Sequence, residues 1–96
     1  MLSLQKISAD VSSIAEEFQI SKADLFGSYA NGTATENSDV DVLIEFHPSA
    51  TTTLLTLSRL KNRLEKMLGV DVDVIHGPVP EDSILEVERT VSLYGA

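Results

Sequence analysis

The chain has no cysteine, no tryptophan, three prolines, and only seven lysines and arginines against fifteen aspartates and glutamates. Without cysteine there is neither a disulfide framework nor a thiolate metal site. The formal net charge of −8 disfavours a protein that tracks a DNA or RNA backbone, because such binding rests on clustered Lys and Arg. A protein partner, or a nucleotide delivered with its cation, fits this balance better. No signal-peptide pattern and no long apolar run is present, so a soluble cytoplasmic protein without membrane contact is expected. At 96 residues the chain is expected to be one domain over 1–96, large enough for a single core but not for a separate substrate domain. A large substrate must therefore meet an open face.

What is present is strong periodicity. Leu4, Ile7, Val11, Ile14 and Phe18 recur at alternating spacings of three and four, the stripe of an amphipathic helix. Ala23 to Phe26 is predicted as a short strand ending at Gly27-Ser28, with a short helix at Tyr29 to Asn31 and a loop over Gly32 to Ser38. Asp39 to Phe46 is predicted as a second strand, stopped by His47-Pro48. Leu57, Leu60, Leu64, Met67 and Leu68 mark a helix over Thr53 to Leu68, capped by Ser49 or a nearby Thr and ended by Gly69. Val70 to Ile75 alternates with period two, the valines on one face and Asp71, Asp73 and Ile75 on the other. A last helix is predicted over Glu81 to Tyr94, from the spacing of Ile84, Val87 and Val91, with Pro78 and Pro80 in the preceding loop. This order predicts an α/β (α+β) fold, a small mixed sheet with helices packed mainly on one face and acids on the other.

The acids carry the chemistry. Asp39 and Asp41 open an apolar strand, and residues i and i+2 of a strand share a face, roughly 6.6 Å apart at about 3.3 Å per residue. At an effective dielectric of about 20 two such charges repel by roughly 2.5 kcal/mol. A divalent cation reverses the sign, and Mg²⁺ accepts one or two carboxylates together with water and nucleotide phosphates. Taken singly, Gly27-Ser28 reads as an ordinary turn and the acids as a solvated strand edge; taken with Asp73 on the next strand, they read as a metal site. Gly27 to Gly32 does not make a P-loop, which needs Lys where Thr33 stands. His47 and His76 each stand alone after a strand and read as solvated. Glu81, Asp82, Glu86 and Glu88 read as a solvated acidic face.

Gly27-Ser28-Tyr29-Ala30-Asn31-Gly32, then Ser38-Asp39-Val40-Asp41, then Asp73, resemble the signature of the minimal nucleotidyltransferase (MNT) family of the DNA polymerase β-like superfamily. The resemblance covers nearly the whole chain and implies the mixed-sheet nucleotidyltransferase fold. Carried over by motif, Gly27 and Ser28 hold the phosphates of ATP, and Asp39 and Asp41 bind Mg²⁺. Asp73 is then the third carboxylate, binding metal and orienting or deprotonating the attacking hydroxyl, with Asp71 as its competitor on the same face. The family has Arg where this chain has Asn31.

The resemblance further implies transfer of AMP from ATP onto a hydroxyl, with a tyrosine of a HEPN-type toxin as acceptor and this chain as the antitoxin. The alternative, motivated by Asn31, is an antitoxin of the same fold that neutralises its partner by binding alone. Transfer to a small molecule such as an aminoglycoside is the weaker third choice, since such enzymes carry a further substrate domain. Any exposed remainder of the second helical stripe is left to a partner or to self-association.

Overall fold

The computed structural model describes residues 2–77 and 90–95. Along the chain run α1 (Leu4–Ala15), β1 (Ile20–Phe26), α2 (Ser28–Asn31), β2 (Val40–Phe46), α3 (Leu54–Leu68), β3 (Val72–His76) and β4 (Val91–Tyr94). The strands form one mixed sheet in the order β3-β2-β1-β4. β1 is antiparallel to both β2 and β4, while β2 and β3 are parallel. A parallel pair needs a crossover, and α3 supplies it.

Both long helices begin on side-chain caps. Ser3 accepts from the Lys6 N–H at 3.0 Å. At α3 the cap is Thr53, whose hydroxyl accepts from the Thr56 N–H at 3.3 Å while the Thr56 hydroxyl accepts from the Thr53 N–H at 3.3 Å. Two N–H groups that no helical carbonyl can reach are thereby satisfied. α3 ends on Gly69 in the left-handed conformation, its N–H donating to the Glu65 carbonyl.

Ile7, Val11 and Ile14 of α1 and Leu60, Leu64 and Leu68 of α3 are buried together with Ala23, Leu25, Val40, Val42, Ile44, Val72 and Leu93 of the sheet. Both helices thus cover one face, and strand alternation leaves the other to Asp24, Phe26, Asp41, Leu43 and Asp73. The expected α/β architecture, with helices mainly on one face, is the one observed. At the end of the predicted last helix the structure differs. Val91–Tyr94 is a strand on the edge of β1, with Leu93 buried and Ser92 exposed. The rest of that segment, with Pro78, Pro80 and the acids from Glu81 to Glu88, lies outside the described residues. Among the described residues no helix is long and apolar enough to cross a membrane.

Candidate active site

Sheet register decides which acids meet. Asp41 lies between Phe26 of β1 and Asp73 of β3. One step earlier, Val40 pairs with Val72, and the Val40 N–H donates to the Asp71 carbonyl at 3.0 Å. Asp41 therefore faces Asp73, and Asp71 stands at the level of Asp39, where both line a cleft with Ser38, Glu65 and Val70. The valines between these acids point into the core, so all four carboxylates belong to the open face.

Asp41 is half-buried, whereas Asp39, Asp71 and Asp73 are exposed. Its carboxyl is pushed up from 3.8 to about 6, first by burial, then by a proton shared with Asp73, then by the charges of Asp73 and Asp39. Two like-charged groups held side by side by a parallel ladder cannot both ionise cheaply. Among the described residues no three acid or imidazole groups are gathered closely enough to cage a metal by themselves. The carboxylates expected to converge thus form a pair, Asp41 and Asp73, with Asp39 alongside. That donor set still fits Mg²⁺, which takes one or two carboxylates and fills its octahedron with water and phosphate oxygens.

The glycine turn is built against this pair. Gly27 adopts φ +74°, and a Cβ on it would collide with the Asp41 carboxylate. Only glycine meets both conditions without strain. After it the chain forms the single turn of α2, closed by Asn31 N–H to Gly27 C=O at 3.0 Å and Thr33 N–H to Ser28 C=O at 2.9 Å. The N–H groups opening a helix have no helical acceptor, which suits them to phosphate oxygens. Asn31 braces this turn through its backbone, so the turn does not depend on the arginine of the family pattern. The loop leading to Asp39 is held by Ser38, whose hydroxyl accepts from the Thr35 N–H at 2.8 Å and whose N–H donates to the Thr35 carbonyl at 3.1 Å.

Glu65 of α3 was not legible as part of this assembly. Its carboxylate accepts from Lys61 at 2.6 Å and from the Val72 N–H at 3.1 Å, fastening the start of β3 next to Asp73. Those two bonds, the lysine's first, hold its carboxyl below the usual range. The Lys61-to-Glu65 spacing was a visible signal, but one shared by any solvated helix face. His47 is exposed, and His76 packs edge-on against Phe46 with ring centres 5.3 Å apart. Neither adjoins the acids.

Residues 4–93 match the nucleotidyltransferase domain family. The protein adenylyltransferase MntA of Thermococcus cleftensis is 37% identical over 79 residues, which span 78% of this chain and 78% of that protein. A crystal structure of a toxin–antitoxin with AMP-PNP matches with a TM-score of 0.75 at 21% identity, over 93% of this chain and 73% of the other. A tri-AMPylated Shewanella oneidensis HEPN toxin in complex with its MNT antitoxin matches with a TM-score of 0.70 at 18% identity, over 97% and 73% of the two chains. At those identities the two structures speak for the fold. With the family match spanning nearly the whole sequence, this chain belongs to the nucleotidyltransferase domain family, as one of its minimal members.

Proposed function

We propose that this protein is an antitoxin that transfers AMP from ATP to a tyrosine hydroxyl of a HEPN-type toxin and releases pyrophosphate. The observation that carries this is the Asp41–Asp73 pair, set across two parallel strands with the Gly27 backbone packed against Asp41. Asp39 and Asp41 are assigned to Mg²⁺, with Asp73 completing the set; the cation supplies charge neutralisation for the phosphates and the entering and leaving oxygens. Gly27 and Ser28 are assigned to the phosphates, through the free N–H groups of the turn.

In the step, a bond forms between the acceptor oxygen and the α-phosphorus while the bond from that phosphorus to the oxygen bridging to the β-phosphate breaks. The hydroxyl proton passes to Asp73, which faces solvent beside Asp41. Positioning is the main task left to the protein, and one sheet face with one turn is enough for it. The named activity of MntA and the AMPylated toxin bound to an MNT antitoxin support the acceptor class.

The test is transfer from ATP labelled at the α-phosphate, in parallel with γ-labelled ATP, using a HEPN-type partner and Mg²⁺. Label should reach the partner from the α position only, and be lost in Asp39→Ala and Asp41→Ala. Full transfer by both variants would sink the metal assignment. Neutralisation by binding alone is the competing function, and it is favoured by partner silencing that survives Asp41→Ala.

A further inference from the structure

From the end of the sheet opposite the Asp41–Asp73 pair, a second cleft of about 650 Å³ runs along α3 beside the α1–β1 turn, lined by Gln19, Thr52, Thr56, Arg59, Arg63 and Lys66 among others. Three of the chain's seven basic residues gather here in a molecule of net charge −8. Arg63 is held in place: it forks onto Glu17 at 2.8 and 3.1 Å and lies 5.8 Å from the centre of the Phe18 ring. Arg59 and Lys66 are exposed, and the ion pairs among the described residues are Lys6–Asp10, Lys22–Asp24, Lys61–Glu65 and Arg63–Glu17, so neither is paired with a described residue. Gln19 is the one described non-glycine residue at positive φ, +57°. That conformation is uncommon for residues other than glycine, and here it keeps an amide side chain on the cleft wall.

An apolar element adjoins the charges. Leu55 is 61% exposed, and positions 55, 59, 62 and 66 fall within one narrow stripe of a helix turning 100° per residue. The exposed leucine sets an apolar contact beside the arginines, and Arg is enriched at protein interfaces and their hot spots. At its Gln19 end the cleft is far from the Asp41–Asp73 pair, while its Lys66 end lies next to Glu65, which lines the acidic cleft. Gln19 joins the ladder end where Ile20 pairs with Phe46, and Asp41 pairs with Phe26 at the other end. Six residue steps separate them, roughly 20 Å at about 3.3 Å per residue. A nucleotide held by Gly27 and Asp41 cannot span that distance, whereas a folded acceptor protein can.

We infer that Leu55, Arg59, Arg63 and Lys66 form a docking surface for an acidic, leucine- or aromatic-bearing segment of the protein that accepts the nucleotide. This rests on the protein-acceptor function proposed above. Charge sets the orientation: the net-negative molecule repels an acidic surface, so the partner is steered to this basic cleft and arrives in a fixed pose.

The experiment is calorimetric titration of a HEPN-type partner without ATP into four proteins: the parent, Arg59→Glu/Lys66→Glu, Lys6→Glu/Lys22→Glu with the same change of net charge, and Asp41→Asn. The first double variant should weaken binding by about tenfold or more with an unchanged melting temperature, and Arg59→Gln/Lys66→Gln should move in the same direction. The other two should stay within about twofold of the parent. Binding by Arg59→Glu/Lys66→Glu at parental affinity overturns the inference, as does an equal loss in the Lys6/Lys22 control or displacement of the partner's site by pyrophosphate alone. Binding that depends on Arg59 and Lys66 without any AMP transfer by the parent would instead refute the reaction and leave the docking surface standing.

Discussion

Two atoms' worth of space explain much of the site at the scale of single residues. Gly27 has no Cβ, and the Asp41 carboxylate occupies the position where one would be. Gly27→Ala therefore both strains a backbone at φ +74° and pushes Asp41 off its pair with Asp73. The expected cost is about 1 to 3 kcal/mol of stability together with loss of transfer, read by thermal melting and the α-label assay; a variant with parental activity would contradict the packing. Asp41 itself works against the fold. Its carboxyl is pushed up to about 6 in the folded chain from the 3.8 of a free aspartate, so between those values the folded state binds more protons. Stability of the cation-free protein should rise as pH falls from 7 to 5, by about 1 kcal/mol once screening of the half-exposed group is allowed for. Asp41→Asn should melt above the parent at pH 7, flatten this pH dependence and abolish transfer. A melting temperature unchanged between pH 7 and 5 would remove the repulsion on which the cation assignment leans.

Elements that followed local periodicity were legible, and those made by pairing were not. Capping threonines, the Leu60-Leu64-Leu68 stripe and the Gly69 stop gave α3 its bounds within a residue. β1 was read too short because a register shift between Ile20 and Lys22 buries both Ile20 and Ala23, a spacing of three that hides the period of two. β4 was read as helix because Val91 continues the spacing of Ile84 and Val87. The alternation of Ser92 and Leu93 becomes decisive only when the edge of β1 is there to pair with it. The acids were visible as residue types, but strand face alone did not separate Asp73 from Asp71; the family resemblance favoured Asp73, and the parallel register sets it beside Asp41.

Glu65 belongs to the same scale, since it ties one element to the next. Glu65→Ala should lower the melting temperature slightly and reduce transfer by loosening the start of β3, with faster hydrogen exchange at the Val72 amide as the direct check. By contrast, Leu64→Ala, fully buried between α3 and the sheet, should cost about 2 to 5 kcal/mol and shift melting without a selective effect on chemistry. Equal effects of the two on transfer per folded molecule would argue that Glu65 is only another packing residue.

Across the whole molecule, charge and architecture divide the labour. One sheet face carries the acids and the glycine turn, the opposite face carries the core, and the basic cleft runs along the outside of α3 from the far end of the sheet. Among the described residues the helices cover the face opposite the acids, so under the proposed function the acceptor brings its own surface and transfer depends on how two proteins meet. The measurement that tests this most directly is the intact mass of a HEPN-type partner after incubation with this protein, ATP and Mg²⁺. Growth of the partner in steps of one AMP, absent with Asp41→Ala, is the expected result. A stable complex whose partner mass never changes would contradict catalysis and leave an antitoxin that acts by binding alone.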